Sequence, residues 1–361
     1  MKRIAIGLVS AWIAGCAGGD AGGAGGTGSG IGGSFRVETL PADPVALTYR
    51  KADEIEKVEK QLEARKQHEL EEKRKEILRA RPALGSIAAL REALGTRAEE
   101  AAGIDLSARM AIYTIPDERT VDAEFAAKGD KPIAWSADHQ RLMFLSERTG
   151  TTQLFEWSRQ TDAAPQLTTG EDPVLDGCYG PGGAIAYAVG TAMVETPQGV
   201  AGGLRIFVRV PGGVPYVVTP GPIDSSPTWS PSEPLLVYQA RGRSGNEEIV
   251  AVNPLEPGAP RYLANGRTPV FTPDGKWVVY SSRTTKGWKL FKVRPDGNGK
   301  QPVGKGTMQE VEPSISRDGQ WVLFTGYYEL KPHETDLMIR PIAGGKDRKL
   351  DFDDKPHRTT W

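Results

Sequence analysis

From about residue 107 onward, apolar residues come in short runs broken by Gly, Pro and Asp, and the runs repeat. Ile133-Ala-Trp135-Ser-Ala-Asp138 parallels Pro227-Thr-Trp229-Ser-Pro-Ser232. Pro269-Val-Phe271-Thr-Pro-Asp274-Gly275 parallels Pro313-Ser-Ile315-Ser-Arg-Asp318-Gly319. Six residues after each Ser or Thr an apolar triplet begins, at Leu142, Leu236, Val278 and Val322. A degenerate copy runs from Cys178 into Ile185-Ala-Tyr187, and Thr359-Thr-Trp361 reads as the opening of another. The aligned large residues Trp135, Cys178, Trp229, Phe271, Ile315 and Trp361 are spaced by 43, 51, 42, 44 and 46. A period in the forties with several short strands per unit predicts propeller blades. Asp274-Gly275 and Asp318-Gly319 supply the turn between a blade's first two strands. Third strands are expected near Phe155, Ile206, Val250, Leu290 and Met338, and fourth strands near Leu167, Val217, Tyr262, Val303 and Leu350.

Five complete units fill residues 131–354, and a sixth opens at 355–361. Its remaining strands are expected from Met110–Ile115 and Thr120–Phe125, so that the two ends of the domain share one blade and leave no open sheet edge. The predicted fold is therefore all-β, a six-bladed β-propeller of four-stranded blades over 107–361.

The pattern upstream is different in kind. Residues 50–81 hold twenty charges in 32 positions, eleven basic and nine acidic, without Gly or Pro. Asp53–Lys57, Glu56–Lys60, Glu69–Lys73 and Glu71–Lys75 are acid-first i,i+4 pairs, each worth ~0.2–0.5 kcal/mol in a helix. The apolar stripe Ile55, Val58, Leu62, Leu70, Ile77 and Leu78 is too broken for a sustained coiled coil. A charged helical segment is expected over 50–106, serving either as a solvated spacer or as a self-pairing or partner-binding element. Residues 17–34 contain ten glycines in eighteen positions. They cannot bury enough apolar surface to offset ordering entropy, so 16–49 is expected to be a flexible linker.

The chain opens with Met1-Lys2-Arg3, then a mostly apolar run from Ile4 to Ile13. Ten such residues are too few to cross a hydrocarbon core that needs ~20 in a helix. This is the layout of a signal peptide over 1–15. Ile13-Ala14-Gly15-Cys16 resembles the bacterial lipobox, which implies a lipid-modified Cys16 after cleavage; an ordinary secretory peptide with a chance Cys is the alternative. Ala17 in place of Asp then favours the outer membrane, facing the periplasm.

The repeats, with P-x-W-S-P-D-G-like openings, resemble the WD-like repeats of TolB-type propellers over roughly 107–361. The resemblance implies the propeller fold and a protein that binds envelope partners. It departs in carrying its own lipobox and a charged helix where that family has a small α/β domain.

Candidate chemistry is sparse. The net charge of −1 argues against nucleic acid, which needs a basic stripe. Two cysteines exclude a disulfide framework. No G-x-S-x-G elbow or phosphate-binding P-loop motif occurs. His333 and His357 could approach on one face, with His139 on the other and His68 on the charged helix, but a metal site wants three or four convergent ligands. No metal and no cofactor is expected. The loops leading into each blade carry nine acids against six bases, a mildly acidic rim. Asp172, Asp224, Glu310, Glu312, Asp354 and His357 are the expected partner-binding residues. The function these observations favour is a lipid-anchored, non-enzymatic scaffold for other envelope proteins. A small-molecule or glycan binder in the tunnel is the next reading, and a propeller hydrolase or lyase the third.

Overall fold

The structure is a computed structural model. It describes residues 44–50, 109–115, 119–196, 199–242, 245–328, 331–350 and 355–361, together with Lys60, Ala64 and His68. The signal peptide, Cys16 and the Gly-rich stretch lie outside the described residues. The chain divides into two compact units, and the propeller is one of them. Of the other, Lys60, Ala64 and His68 are helical and exposed; the rest of the expected charged helix lies outside the described residues.

The described residues form six sheets, each a meander of antiparallel strands running outward from the innermost. Blade one holds β4 (Lys131–Trp135), β5 (Arg141–Ser146) and β6 (Gln153–Ser158). Its fourth strand is reduced to a bridge between Phe155 and Gln166. Blade two holds β7 (Val174–Tyr179), β8 (Ile185–Thr196), β9 (Gly199–Arg209) and β10 (Tyr216–Val217). Blade three holds β11 (Ser225–Trp229), β12 (Leu236–Arg241), β13 (Glu247–Val252) and β14 (Arg261–Asn265). Blade four holds β15 (Arg267–Phe271), β16 (Val278–Thr284), β17 (Gly287–Val293) and β18 (Gln301–Pro302). Blade five holds β19 (Gln309–Ile315), β20 (Trp321–Tyr328), β21 (Lys331–Pro341) and β22 (Arg348–Lys349). The repeat thus places its strands where the periodicity puts them.

The closing blade corrects the expected boundary. It is ordered β23 (Lys355–Thr360), β1 (Pro44–Arg50), β2 (Arg109–Thr114), β3 (Arg119–Asp122). The expected pair of strands is present as β2 and β3, but a third, β1, lies between β23 and β2 and comes from the expected linker. It pairs with β2 from Pro44 opposite Thr114 to Tyr49 opposite Arg109. The propeller therefore begins at Pro44, not at 107. The charged segment does not precede it; it is spliced into the connection between the second and third strands of the closing blade.

β1 earns that place by alternation, since successive side chains on a strand face opposite sides. Val45, Leu47 and Tyr49 pack with Trp321, Leu323 and Ile339 of blade five. Ala46 faces the other way, onto a cluster with Trp135, Phe144 and Trp157 of blade one. Four further clusters fill the remaining junctions between neighbouring blades. The six repeat-marking residues are all buried, at 6–9% exposure. Cys178 packs with Trp229 and Leu236, and burial pushes its thiol pKa up, so it is a packing residue.

The turn after each innermost strand explains why the motif reads W-S-x-D-G. In blade four, Thr272 Oγ1 donates to Asp274 Oδ1 (2.6 Å) and accepts the Trp277 N–H (3.1 Å). Ser136 with Asp138 and Arg141, and Ser316 with Asp318 and Trp321, repeat the arrangement. The residue after the Asp needs a left-handed backbone: Gly275 and Gly319 sit at φ 69°. Blade one has His139 there, at φ 56° and buried.

Candidate functional site

The loops leading into the blades and the connections between second and third strands share one face of the ring. The expected partner-binding residues fall on that face, and the described ones have different roles. Asp130, Asp224 and Glu310 stand at one register, five residues before the large residue of their repeats, and each is only 2% exposed. Asp130 Oδ2 accepts the Ala127 N–H (2.9 Å) and pairs with Arg148. Asp224 Oδ2 accepts the Gly221 N–H (2.6 Å). Burial raises the Asp224 pKa, opposed by bonds from Thr219 and Gly221 and by the Arg205 charge.

Glu310 accepts the Leu290 N–H of the preceding blade (3.1 Å) and two bonds from Arg340, at 3.0 and 2.8 Å. Arg340 is fully buried and also holds Asp347. Burial alone would lower the Arg340 pKa; the bonds from Asp347 and Glu310 outweigh it, and the guanidinium is held charged. Asp224 and Glu310 therefore anchor loops and join blades, and they do not form a solvated acidic rim. Asp172 is exposed, and its carbonyl accepts from Gln153 Nε2 (3.1 Å). Asp354 lies outside the described residues. His357 falls within β23, with its side chain outside them, as is the side chain of His333.

Glu312 is the expected residue that does reach a concavity. The inner strands of blades one to five all carry a bulge, and in blades three, four and five it falls between Ser225 and Thr228, between Arg267 and Val270, and between Val311 and Ser314. In those three blades one non-glycine residue of the bulge turns left-handed: Ser226 and Thr268 at φ 50°, Glu312 at φ 58°. All three occupy one register of the repeat, and all three precede a proline, a position sterically biased to extended backbone. Strain of this kind costs ~1–3 kcal/mol per residue and persists only where the surroundings impose it.

These three residues line a single cavity of about 970 Å³. Its walls come from blades two to five, with most of the lining from blades three and four. The Thr268 N–H donates to Gln239 Oε1 (3.2 Å), and Gln239 Nε2 donates to Glu247 Oε1 (3.2 Å). The Arg267 guanidinium lies 3.9 Å from the Trp288 ring centroid, a cation–π contact. Arg241 and Arg283, both exposed, complete the basic part of the wall. Three arginines against Glu247 and Glu312 make this concavity basic, in contrast to the expected acidic mouth. The sequence carried one clue to it: the dyads Ser226-Pro227, Thr268-Pro269 and Glu312-Pro313 recur at the repeat period.

Among the described residues no group of three or more His, Cys, Asp and Glu could hold a metal ion. His139 lies on the opposite face, against Trp135 with ring centroids 6.0 Å apart. Burial, then the charges of Arg317 and Arg159, lower its pKa to about 4, with Asp138 pulling the other way.

The architecture is that of a TolB-like six-bladed β-propeller. An assigned TolB structure from Agrobacterium tumefaciens superposes with a TM-score of 0.55 at 22% identity, covering 68% of this chain and 90% of the other. TolB from Acinetobacter baumannii gives a TM-score of 0.48 at 16% identity, over 69% of this chain and 65% of the other. In sequence the chain is 26% identical over 214 residues to an uncharacterized protein, Atu1656, of Agrobacterium fabrum, covering 57% of this chain and 69% of the relative. No protein-family model matches. At these identities the likeness establishes the fold alone.

Proposed function

We propose that this protein is a lipid-anchored component of the bacterial cell envelope whose propeller binds other proteins as a non-enzymatic scaffold. Cys16 at the end of its lipobox-like pattern carries the lipid, and two or more acyl chains at ~0.8 kcal/mol per buried methylene make such anchoring stable. The proposed residence is the outer membrane, on the periplasmic side. Protein binding is supported at the level of fold by the likeness to TolB propellers. The single observation that carries the reading is the strained register: three consecutive blades hold Ser226, Thr268 and Glu312 left-handed around one concavity. Bulges are common to the inner strands, but left-handed non-glycine residues at them occur, among the described residues, only in the three blades around this concavity, and strain of that kind clusters at ligand-binding sites.

Two measurements test it. Crosslinked capture from envelope membranes, with the full chain as bait, should retain a discrete envelope protein. Cys16→Ser should shift the protein out of the membrane fraction and abolish its lipid label; unchanged fractionation and labelling would sink the anchoring half. A small-molecule or glycan ligand is the second reading, favoured by the Arg267–Trp288 wall and by a volume at the upper end for such pockets. Thermal stabilisation by a glycan or metabolite panel, with no protein captured, would prefer it.

A further inference from the structure

We infer that the cavity spanning blades three and four binds an acidic, extended peptide segment, its carboxylates held by Arg241, Arg267 and Arg283. This rests on the binding role proposed for the cavity and names the chemistry of its ligand.

Three features converge on that chemistry. Among the described residues none of the three arginines makes an ion pair, while Arg141, Arg148 and Arg340 elsewhere in the ring all do. The Arg267 Nε is buried without a hydrogen-bond partner, although its guanidinium is fixed against Trp288. A planar cation held in place and left unsatisfied is suited to a two-pronged bond from a carboxylate. Glu247 does not answer this need, because Gln239 engages it.

The second feature is repetition. Bulges leave backbone groups out of the sheet ladder. Here they recur at one register in adjacent blades, at Ser226, Thr268 and Glu312. A wall built of repeating polar units fits a ligand that repeats its own polar units, as an extended peptide does. The third feature is the amide lining: Gln239, Asn246 and Asn265 offer donors and acceptors to peptide groups. The three arginines would repel a basic peptide, and they outnumber Glu247 and Glu312 in the lining, which are the groups such a peptide would pair with.

Calorimetry on the full chain tests this with N-acetyl hexaglutamate amide as the probe. Saturable binding is expected, weakening as salt rises, with hexaglutamine at least tenfold weaker and hexalysine silent. Arg267→Gln should weaken it at least tenfold. Because Arg267 also packs on Trp288, the exposed pair Arg241→Gln/Arg283→Gln is the second variant; it should lose binding with unchanged melting. Equal binding of hexaglutamate and hexaglutamine, or full binding by the exposed double variant, overturns the inference. Citrate binding as tightly as hexaglutamate overturns the peptide assignment. An envelope protein retained undiminished by the double variant overturns this inference and leaves the scaffold reading standing. Hexaglutamate binding with no envelope protein retained does the reverse.

Discussion

The two faces of the ring treat the same repeat in opposite ways. On the face of the first turns, Ser136, Thr272 and Ser316 each close one loop by the same two bonds, and glycine takes the left-handed position in two of the three. The residue type suits its backbone in those two, and in the third His139 holds the position at φ 56°. On the other face glycines such as Gly245 and Gly287 take some left-handed positions, but three more fall to Ser226, Thr268 and Glu312, one of them β-branched and all of them before proline. The first face is built for stability, with local preference and global fold in agreement. The second holds residues against their preference, and it surrounds the cavity. Repetition marks both, so periodicity alone does not tell scaffold from site; what separates them is whether the repeated residue is comfortable.

The comparison breaks most violently if the ring itself is opened. A chain begun at residue 107 lacks β1 and should show no cooperative melting, whereas one begun at 44 should melt like the full protein. Deleting His357–Trp361 removes most of the innermost strand of the same blade and buried Trp361, and should unfold or oligomerise the domain. Cooperative melting of the 107 chain would show that β1 is dispensable to closure.

Next in size is the buried ion cluster of the cavity face. Glu310→Ala leaves Arg340 fully buried with Asp347 alone, and losing one partner of such a pair costs ~3–5 kcal/mol. Asp172→Ala, on the same face but exposed, should change stability by no more than about 0.5 kcal/mol. Urea midpoints of the two variants decide whether Glu310 is a joint between blades or a solvated acid. Comparable, small shifts in both would restore the latter.

That distinction also measures how much was legible in the sequence. Blade number, strand order and the large buried residues followed from spacing, because a repeat repeats its packing. β1 was hidden because 58 residues separate it from β2, and its alternation, Val45, Leu47, Tyr49, follows a glycine-rich stretch that masks it. The acids were visible as charges, but burial is a tertiary property: Asp224 and Glu310 share a register with Asp130, and only the fold shows that this register points inward. The arginines of the cavity come from different strands, with no common motif to collect them.

A smaller effect belongs to the stable face. His139 has a pKa lowered to about 4, against ~6.5 in the unfolded chain. Below pH 6.5 the unfolded state binds the proton more readily, so this contribution is complete above that pH and is lost as pH falls towards 4. The whole of it is on the order of 3 kcal/mol. His139→Asn tolerates the left-handed backbone and removes the titration. The stability difference between wild type and variant should therefore shift in favour of the variant between pH 7 and pH 4.5. A difference that stays constant across that range would mean that the imidazole titrates normally.

The smallest change in stability carries the sharpest test. Thr268→Gly relieves a β-branched residue from φ 50°, against the entropy glycine adds to the unfolded chain, ~0.5–1 kcal/mol. The net expectation is a gain of up to about 1 kcal/mol, read as a higher urea midpoint, together with weaker capture of the envelope partner. Gly275→Ala, the converse change on the turn face, places a Cβ 2.5 Å from Ser232 Oγ at φ 69° and should lose stability without touching capture. Stability gained where binding is lost, and lost where binding is kept, is what strain maintained for a ligand produces. If Thr268→Gly instead destabilises the ring and leaves capture intact, the left-handed residues belong to the packing of the inner strands, and the two faces differ only in chemistry.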